Sequence, residues 1–127
     1  MMIDAGLDTG PLLLQRETPI GKDETTPELV KRLAIIGAEL LSDTLARLKQ
    51  ITPRPQDHHK ATFAPMLKRE HGLIEWTADA FAIDRAIRGF QPWPGAHTRY
   101  GSRNLIIWRA VAKRGEPNQS LSGEILV

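Results

Sequence analysis

The stretch from Thr25 to Gln50, "TTPELVKRLAIIGAELLSDTLARLKQ", constrains this chain more than any other. Leu29, Leu33, Ile36, Leu40, Thr44 and Leu48 recur at three- and four-residue spacing, the period of one helix face. Ile35, Leu41 and Leu45 widen that face, while Lys31, Arg32, Glu39, Asp43, Arg47 and Lys49 fall largely off it. The spacing predicts an amphipathic helix over 26–50. Thr26 is the expected N-cap, Pro27 the first helical residue, and Glu24 and Glu28 lie near the positive end of the dipole. The helix must stop before Pro53, because the residue preceding a proline is pushed out of the helical region. So broad an apolar stripe needs a surface to pack on, or it remains as an exposed patch.

The segments around this helix read more irregularly. Residues 11–18, "PLLLQRET", are apolar and then alternating, which predicts a strand entered from a turn and closed by Pro19 and Gly21. Residues 52–72 are polar and punctuated by prolines, a long connection with one helical turn expected near Met66–Glu70. "LIEW" is a short apolar piece. Thr77 is the expected cap of a second helix over 78–88, with Ala80, Ile83, Ile87 and Phe90 inward and Gly89 as its stop. After "QPWPG" the period changes to two, and "HTRYGSRNLIIW" reads as strand, Gly-Ser turn, strand. A polar loop over 112–121 and a further strand would follow. So few strands are hard to stabilise alone.

Composition sets the class. The chain has 127 residues, 41% of them apolar and 25% charged, which is the balance of a soluble globular protein. It has no cysteine, so disulfides and thiolate metal sites are impossible. No apolar run approaches the roughly 20 residues needed to span a bilayer. Asp4 and Asp8 interrupt the first residues, and no basic region precedes them as in a signal peptide. The net charge of +2 is mild, but its distribution is uneven. Residues 1–30 carry Asp4, Asp8, Glu17, Asp23, Glu24 and Glu28 against Arg16 and Lys22. Residues 85–114 carry Arg85, Arg88, Arg99, Arg103, Arg109, Lys113 and Arg114 with no acid. Such a stretch is either a solvated basic face or the footprint of a polyanionic partner.

Three local motifs invite chemistry. In "DAGLDTGP", residues 4–11, two carboxylates sit four residues apart in a glycine-bearing turn that leads into an apolar run. A loop of that kind can hold a carboxylate at the rim of a sheet, where α/β proteins bind ligands. On spacing alone, an ordinary acidic turn before a strand explains it as well. His58 and His59 are adjacent, share no face of a regular element and have no third ligand nearby, so no metal site is expected. His71 and His97 stand singly and read as surface or satisfied histidines. Trp93, between two prolines in "FQPWPG", either stacks on a base or anchors a junction.

Taken in order, "MIDAGLDTGPLLLQRETPI", "ATFAPMLKREHGLIEW" and "AIRGFQPWPGAHT" resemble the methionyl-tRNA formyltransferase family over nearly the whole chain, thinning after Trp108. The GLDTG loop is shared with glycinamide ribonucleotide formyltransferase and with other folate-dependent formyl transferases and hydrolases. The PWPG turn also occurs in sugar N-formyltransferases, and the middle segment selects the tRNA family.

The resemblance implies an α/β architecture in three parts. Residues 1–50 would be the last strands and final long helix of a Rossmann-like formyltransferase domain. Residues 51–91 would be a linker with a helix, and residues 92–127 the first strands of an OB-like β-barrel. It implies transfer of a formyl group from 10-formyltetrahydrofolate to the amino group of initiator methionyl-tRNA, in the cytoplasm, with no metal and no membrane, by an enzyme that is monomeric at full length. Asp8 matches the catalytic aspartate, which would orient an imidazole and favour its protonated form. Asp4, Ala5, Gly6 and Leu7 match the loop lining the pterin end of the folate. Lys68, Arg69, Arg85, Arg88, Arg99 and Arg103 are candidates for phosphate contacts with the tRNA. The family's catalytic asparagine and histidine have no counterpart among these residues. The expectation is therefore a fragment, inactive alone. Two alternatives stay open: a piece of another folate-dependent enzyme (a nucleotide-sugar N-formyltransferase or a formyl-folate hydrolase domain), or a non-enzymatic tRNA-binding remnant.

Overall fold

The computed structural model describes residues 1–113. The chain divides into two compact units, one of Met1–Gly21 with Leu29–Pro65, the other of Lys22–Glu28 with residues from Met66 onwards. Among the described residues the regular elements are two helices, α1 (Thr26–Ala46) and α2 (Ala80–Gly89), and two antiparallel strands, β1 (His97–Tyr100) and β2 (Arg103–Ile106). Two 3-10 turns, His58–Lys60 and Arg69–Gly72, lie between the helices. The loop and strand expected over 112–127 fall, from residue 114 on, outside the described residues.

Helix α1 forms where its period predicts, but its ends differ. It stops at Ala46 and passes through a turn over 47–50, well short of Pro53. At its start the carboxylate of Glu28 accepts from both the backbone N–H and the hydroxyl of Thr25, at 2.8 and 2.7 Å. Thr25, not Thr26, is therefore the residue tied back by the third helical position, one half of a capping box. The Thr26 hydroxyl instead donates to Gly89 O at 2.7 Å. None of the helix is buried. Leu29, Ile36, Leu40 and Thr44 of the expected stripe are half-buried, whereas Leu33, Leu48, Ile35, Leu41 and Leu45 are exposed. Arg32 joins the half-buried side, donating to the Thr18 hydroxyl and, at 2.8 Å, to Pro19 O.

In the first unit the strand expected over 11–18 is not a regular strand. Leu12 and Arg54 exchange backbone bonds of 2.8 and 2.9 Å in a single antiparallel bridge, and no residue of 13–18 joins a ladder. A run with strand composition becomes a strand only where neighbouring backbone runs beside it.

The second unit holds the only buried apolar side chains among the described residues, Ile87 and Ala96, each 1% exposed. Helix α2 begins two residues later than expected. Asp79, not Thr77, is its cap, accepting from Ala82 N at 3.1 Å. Ile87 is buried with Ile83 and Phe90 half-buried beside it, while Ala80 is exposed. Gly89 is the last helical residue and Phe90 the cap. The expected helical turn near Met66–Glu70 is the 3-10 turn Arg69–Gly72, where His71 Nδ1 accepts from Lys68 N at 3.1 Å.

The hairpin forms around the expected Gly-Ser turn, with Tyr100 opposite Arg103 and Gly101-Ser102 as a two-residue loop. Gly101 adopts φ 58° at the first loop position, where a type II′ turn requires glycine. Around "QPWPG", the Gln91–Pro92 and Trp93–Pro94 bonds are cis, and Gly95, at φ 75°, donates to Phe90 O at 2.9 Å. Gly72 packs directly on the Gly95 carbonyl; a Cβ there would collide with it. Ile74 N bonds His97 O and Ile107 N bonds Ala96 O, both at 2.8 Å, which fixes the base of the hairpin.

Candidate functional site

The loop Asp4–Gly10 is built largely from its own polar groups. Asp4 Oδ1 accepts from Gly6 N at 3.1 Å and from the Thr9 hydroxyl at 2.6 Å, an Asx-type turn that folds the loop back on its first residue. Met2 N donates to Pro11 O at 2.8 Å and ties the two ends together. Gly10 is buried, and a Cβ there would strike the Met2 carbonyl, so only glycine fits this closure.

Asp8 is exceptional within that loop. Among the described residues it is the one non-glycine with positive φ, at 55°. The left-handed region is unfavourable for an L-residue, and aspartate tolerates it better than most. Its side chain is exposed. The expected aspartate is thus presented on a folded loop with its carboxylate turned to solvent and its backbone held in an uncommon conformation. Asp4 has a structural duty in the turn. Ala5 and Leu7 are exposed, Leu7 at 96%, so the loop offers its apolar tip outward.

Sequence reasoning missed Gln56. Its side-chain amide donates to both Asp8 O and Gly10 O at 2.8 Å, and so stitches the connection after α1 to the loop. Nothing in "RPQDHHK" marks this residue, because its partners are carbonyls 46 and 48 positions away. Arg54 supports the same side of the unit, donating to Gln15 Oε1 at 3.0 Å beside its bridge to Leu12. An open groove of about 670 Å³ runs along Leu12–Glu17, with Thr52 and Arg54 on its other wall.

The six basic candidates lie in the second unit and fall into two kinds. Lys68, Arg69, Arg85, Arg99 and Arg103 are exposed. Lys68 Nζ approaches Glu70 at 3.9 Å, a loose surface pair. Arg88 is different. Its side chain is 19% exposed, its guanidinium bonds the Asp84 carboxylate at 3.2 Å, and it donates to Glu24 O at 3.3 Å. Its charge is spent on holding α2 to the segment before α1. In the hairpin, side chains alternate across the ribbon. Arg99, paired with Asn104, and Arg103, paired with Tyr100, therefore occupy opposite faces.

The remaining motifs resolve simply. His58 and His59 form a 3-10 turn capped by Asp57, whose carboxylate accepts from His59 N at 3.1 Å. No group of three or more His, Asp or Glu side chains that could hold a metal occurs among the described residues. His97 Nδ1 lies 3.0 Å from Gly95 O. Trp93 is 55% exposed, whereas the Trp76 indole donates to the Thr98 hydroxyl at 2.9 Å. No helix among the described residues is long and apolar enough to cross a membrane.

Residues 66–127 match the family model described as formyl transferase, C-terminal domain. Over 112 residues, 87% of this chain, the sequence is 52% identical to the methionyl-tRNA formyltransferase of Solibacter usitatus, of which it covers 36%. It is 46% identical over 99% of its length to the same enzyme of Citrifermentans bemidjiense, covering 39% of it. With that of Koribacter versatilis it shares 48% over its entire length, covering 42%. The chain spans about two fifths of the length of these relatives.

Proposed function

We propose, on the premise that this chain is similar to the methionyl-tRNA formyltransferases over almost its whole length, that its residues serve transfer of a formyl group from 10-formyltetrahydrofolate to the α-amine of initiator methionyl-tRNA. The observation that carries the reading is the Asp8 loop. It is closed by its own hydrogen bonds, and it presents a solvent-facing carboxylate on a left-handed residue.

The chemistry asks for such a group. The amine attacks the formyl carbon and a tetrahedral oxyanion forms. The amine must then lose a proton while the departing folate nitrogen gains one. A fixed carboxylate beside an imidazole holds the ring's orientation and stabilises its protonated form, which is the donor the leaving nitrogen needs. That is the role assigned to Asp8. Asp4 shapes the turn, and Ala5, Gly6 and Leu7 face the pterin. The family's oxyanion donor and imidazole have no counterpart among these 127 residues, so the 127 residues alone are expected not to turn over.

On the RNA side, Lys68, Arg69, Arg85, Arg99 and Arg103 supply exposed positive charge for phosphates, and Arg88 serves the fold. Phosphate contacts of this kind fix position and make binding salt-dependent without reading sequence.

The acceptor is tested by competition. At native length, with 10-formyltetrahydrofolate as donor, the protein should formylate methionyl-tRNA. It should leave an amino-sugar nucleotide unmodified and release little free formate. Preferential formylation of the sugar, or release of formate as the main product, would overturn the reading.

A further inference from the structure

Among the described residues, Gln56 is the one outside the Asp4–Pro11 segment whose side chain bonds both the Asp8 and the Gly10 carbonyls. Its amide nitrogen has two hydrogens, and the geometry uses both, on Asp8 O and Gly10 O at 2.8 Å each. The Asp8 carbonyl belongs to the peptide that follows Asp8, so fixing it fixes ψ at that residue. With φ at 55°, both backbone angles of Asp8 are then set, and with them the direction in which Cβ and the carboxylate leave the chain. The Gly10 carbonyl anchors the other end of the same span. Gly10 itself is buried against the Met2 carbonyl and cannot shift to compensate. The loop's internal bonds, from Asp4 to Gly6 and Thr9, hold the turn but place no donor on the Asp8 peptide.

We infer that Gln56 is a positioning residue: through its two donated hydrogen bonds it sets the backbone of Asp8 and hence the aim of the carboxylate. The connection after α1 is then part of the site and not a passive spacer. This rests on the assignment of Asp8 as catalytic. Misplacing a catalytic group by about 1 Å costs on the order of 100-fold in rate, so the expected penalty lies between about 10- and 100-fold.

The test uses two variants at native length. Gln56→Glu keeps the shape, removes both donors and sets a carboxylate against two carbonyls. Gln56→Met keeps the length and removes all polarity. Single-turnover formylation of methionyl-tRNA is measured for both, beside Asp8→Asn, with thermal unfolding and the active fraction recorded for each. Both Gln56 variants should lose about 10- to 100-fold in the transfer rate of the active fraction. Their KM for the formyl donor should move by less than about threefold, because pterin contacts are left intact. A merely structural glutamine would instead lower the melting temperature or the active fraction and leave the rate of the folded enzyme unchanged. A slow Asp8→Asn beside Gln56 variants within about twofold of wild type would overturn the positioning role alone. A normal rate in Asp8→Asn would overturn the assignment of Asp8 and this inference with it.

Discussion

Two glycine-to-alanine substitutions test the packing account because they should act in opposite directions. At Gly72 the added methyl meets the backbone oxygen of Gly95 head-on, with Gly95 C at 3.2 Å and His97 Nδ1 at 3.0 Å close behind. The obstacle is main chain, and that main chain is held by the Gly95 to Phe90 bond and by the Ile74 to His97 bond. It cannot swing aside as a flexible side chain would. Overpacking of this sort costs about 1–3 kcal/mol. At Gly37, inside α1, an added Cβ finds nothing within 4 Å. There alanine removes only the entropic penalty of a helical glycine, a gain of about 0.5–1 kcal/mol. Hydrogen exchange followed by mass spectrometry reads both locally. Peptides covering 95–107 in Gly72→Ala should exchange about 5- to 150-fold faster, the factor corresponding to that cost. Peptides covering 30–45 in Gly37→Ala should exchange about two- to fivefold more slowly. Unchanged exchange over 95–107 in Gly72→Ala would refute the claim that Gly72 and the Gly95 carbonyl are in close contact.

Three further outcomes follow from particular residues. Ile87→Ala removes the one large side chain that is fully buried among the described residues. It should cost about 2–5 kcal/mol in denaturant unfolding of the second unit, where α2 and the hairpin lie. Arg99→Ala and Arg103→Ala should each weaken tRNA binding and reduce the slope of log K against log salt by about 1, measured by filter binding across a salt series. Arg88→Ala should leave that slope alone and lower stability instead, since its guanidinium bonds Asp84 and Glu24 O. The 127 residues expressed alone should transfer no formyl group above background, in a discharge assay with methionyl-tRNA and 10-formyltetrahydrofolate.

How much of this was legible in the sequence depended on the range of the interaction. Period alone located α1, α2 and the hairpin, because burial of one face writes itself at every third, fourth or second position. The Gly101-Ser102 turn was readable for the same reason: a two-residue loop demands its glycine locally. Caps slipped by a residue or two. Thr25 and Thr26 are equivalent on paper, and the choice rests on which one the Glu28 carboxylate reaches. Asp79 outcompeted Thr77 because its side chain lies at the correct offset from Ala82 N. The apolar run at 11–18 has a strand's composition, but pairing is decided by what lies alongside, and there only Arg54 does so. The stripe of α1 was read correctly in period but not in depth: Leu33 is exposed and Arg32 takes its place on the half-buried side.

For the candidate site, the sequence pointed to the Asp8 loop, though an ordinary acidic turn explained the same spacing. The left-handed backbone of Asp8 and the bond that the Thr9 hydroxyl donates to Asp4 define how the loop is folded, and neither is visible in spacing, but an ordinary acidic turn uses the same devices. Gln56 was invisible because a side-chain amide bonding to main-chain carbonyls leaves no pattern in composition. Arg88 was grouped with the surface arginines by charge alone; only the position of Asp84 separates it from them.

The most direct test of the account is the single-turnover rate of formyl transfer to initiator methionyl-tRNA by Asp8→Asn at native length. Asparagine tolerates the left-handed backbone, so the loop should keep its fold while the charge is lost. The expected result is a folded protein that still binds the formyl donor and transfers about 100- to 10,000-fold more slowly. A folded Asp8→Asn that transfers formyl at the wild-type rate would contradict it.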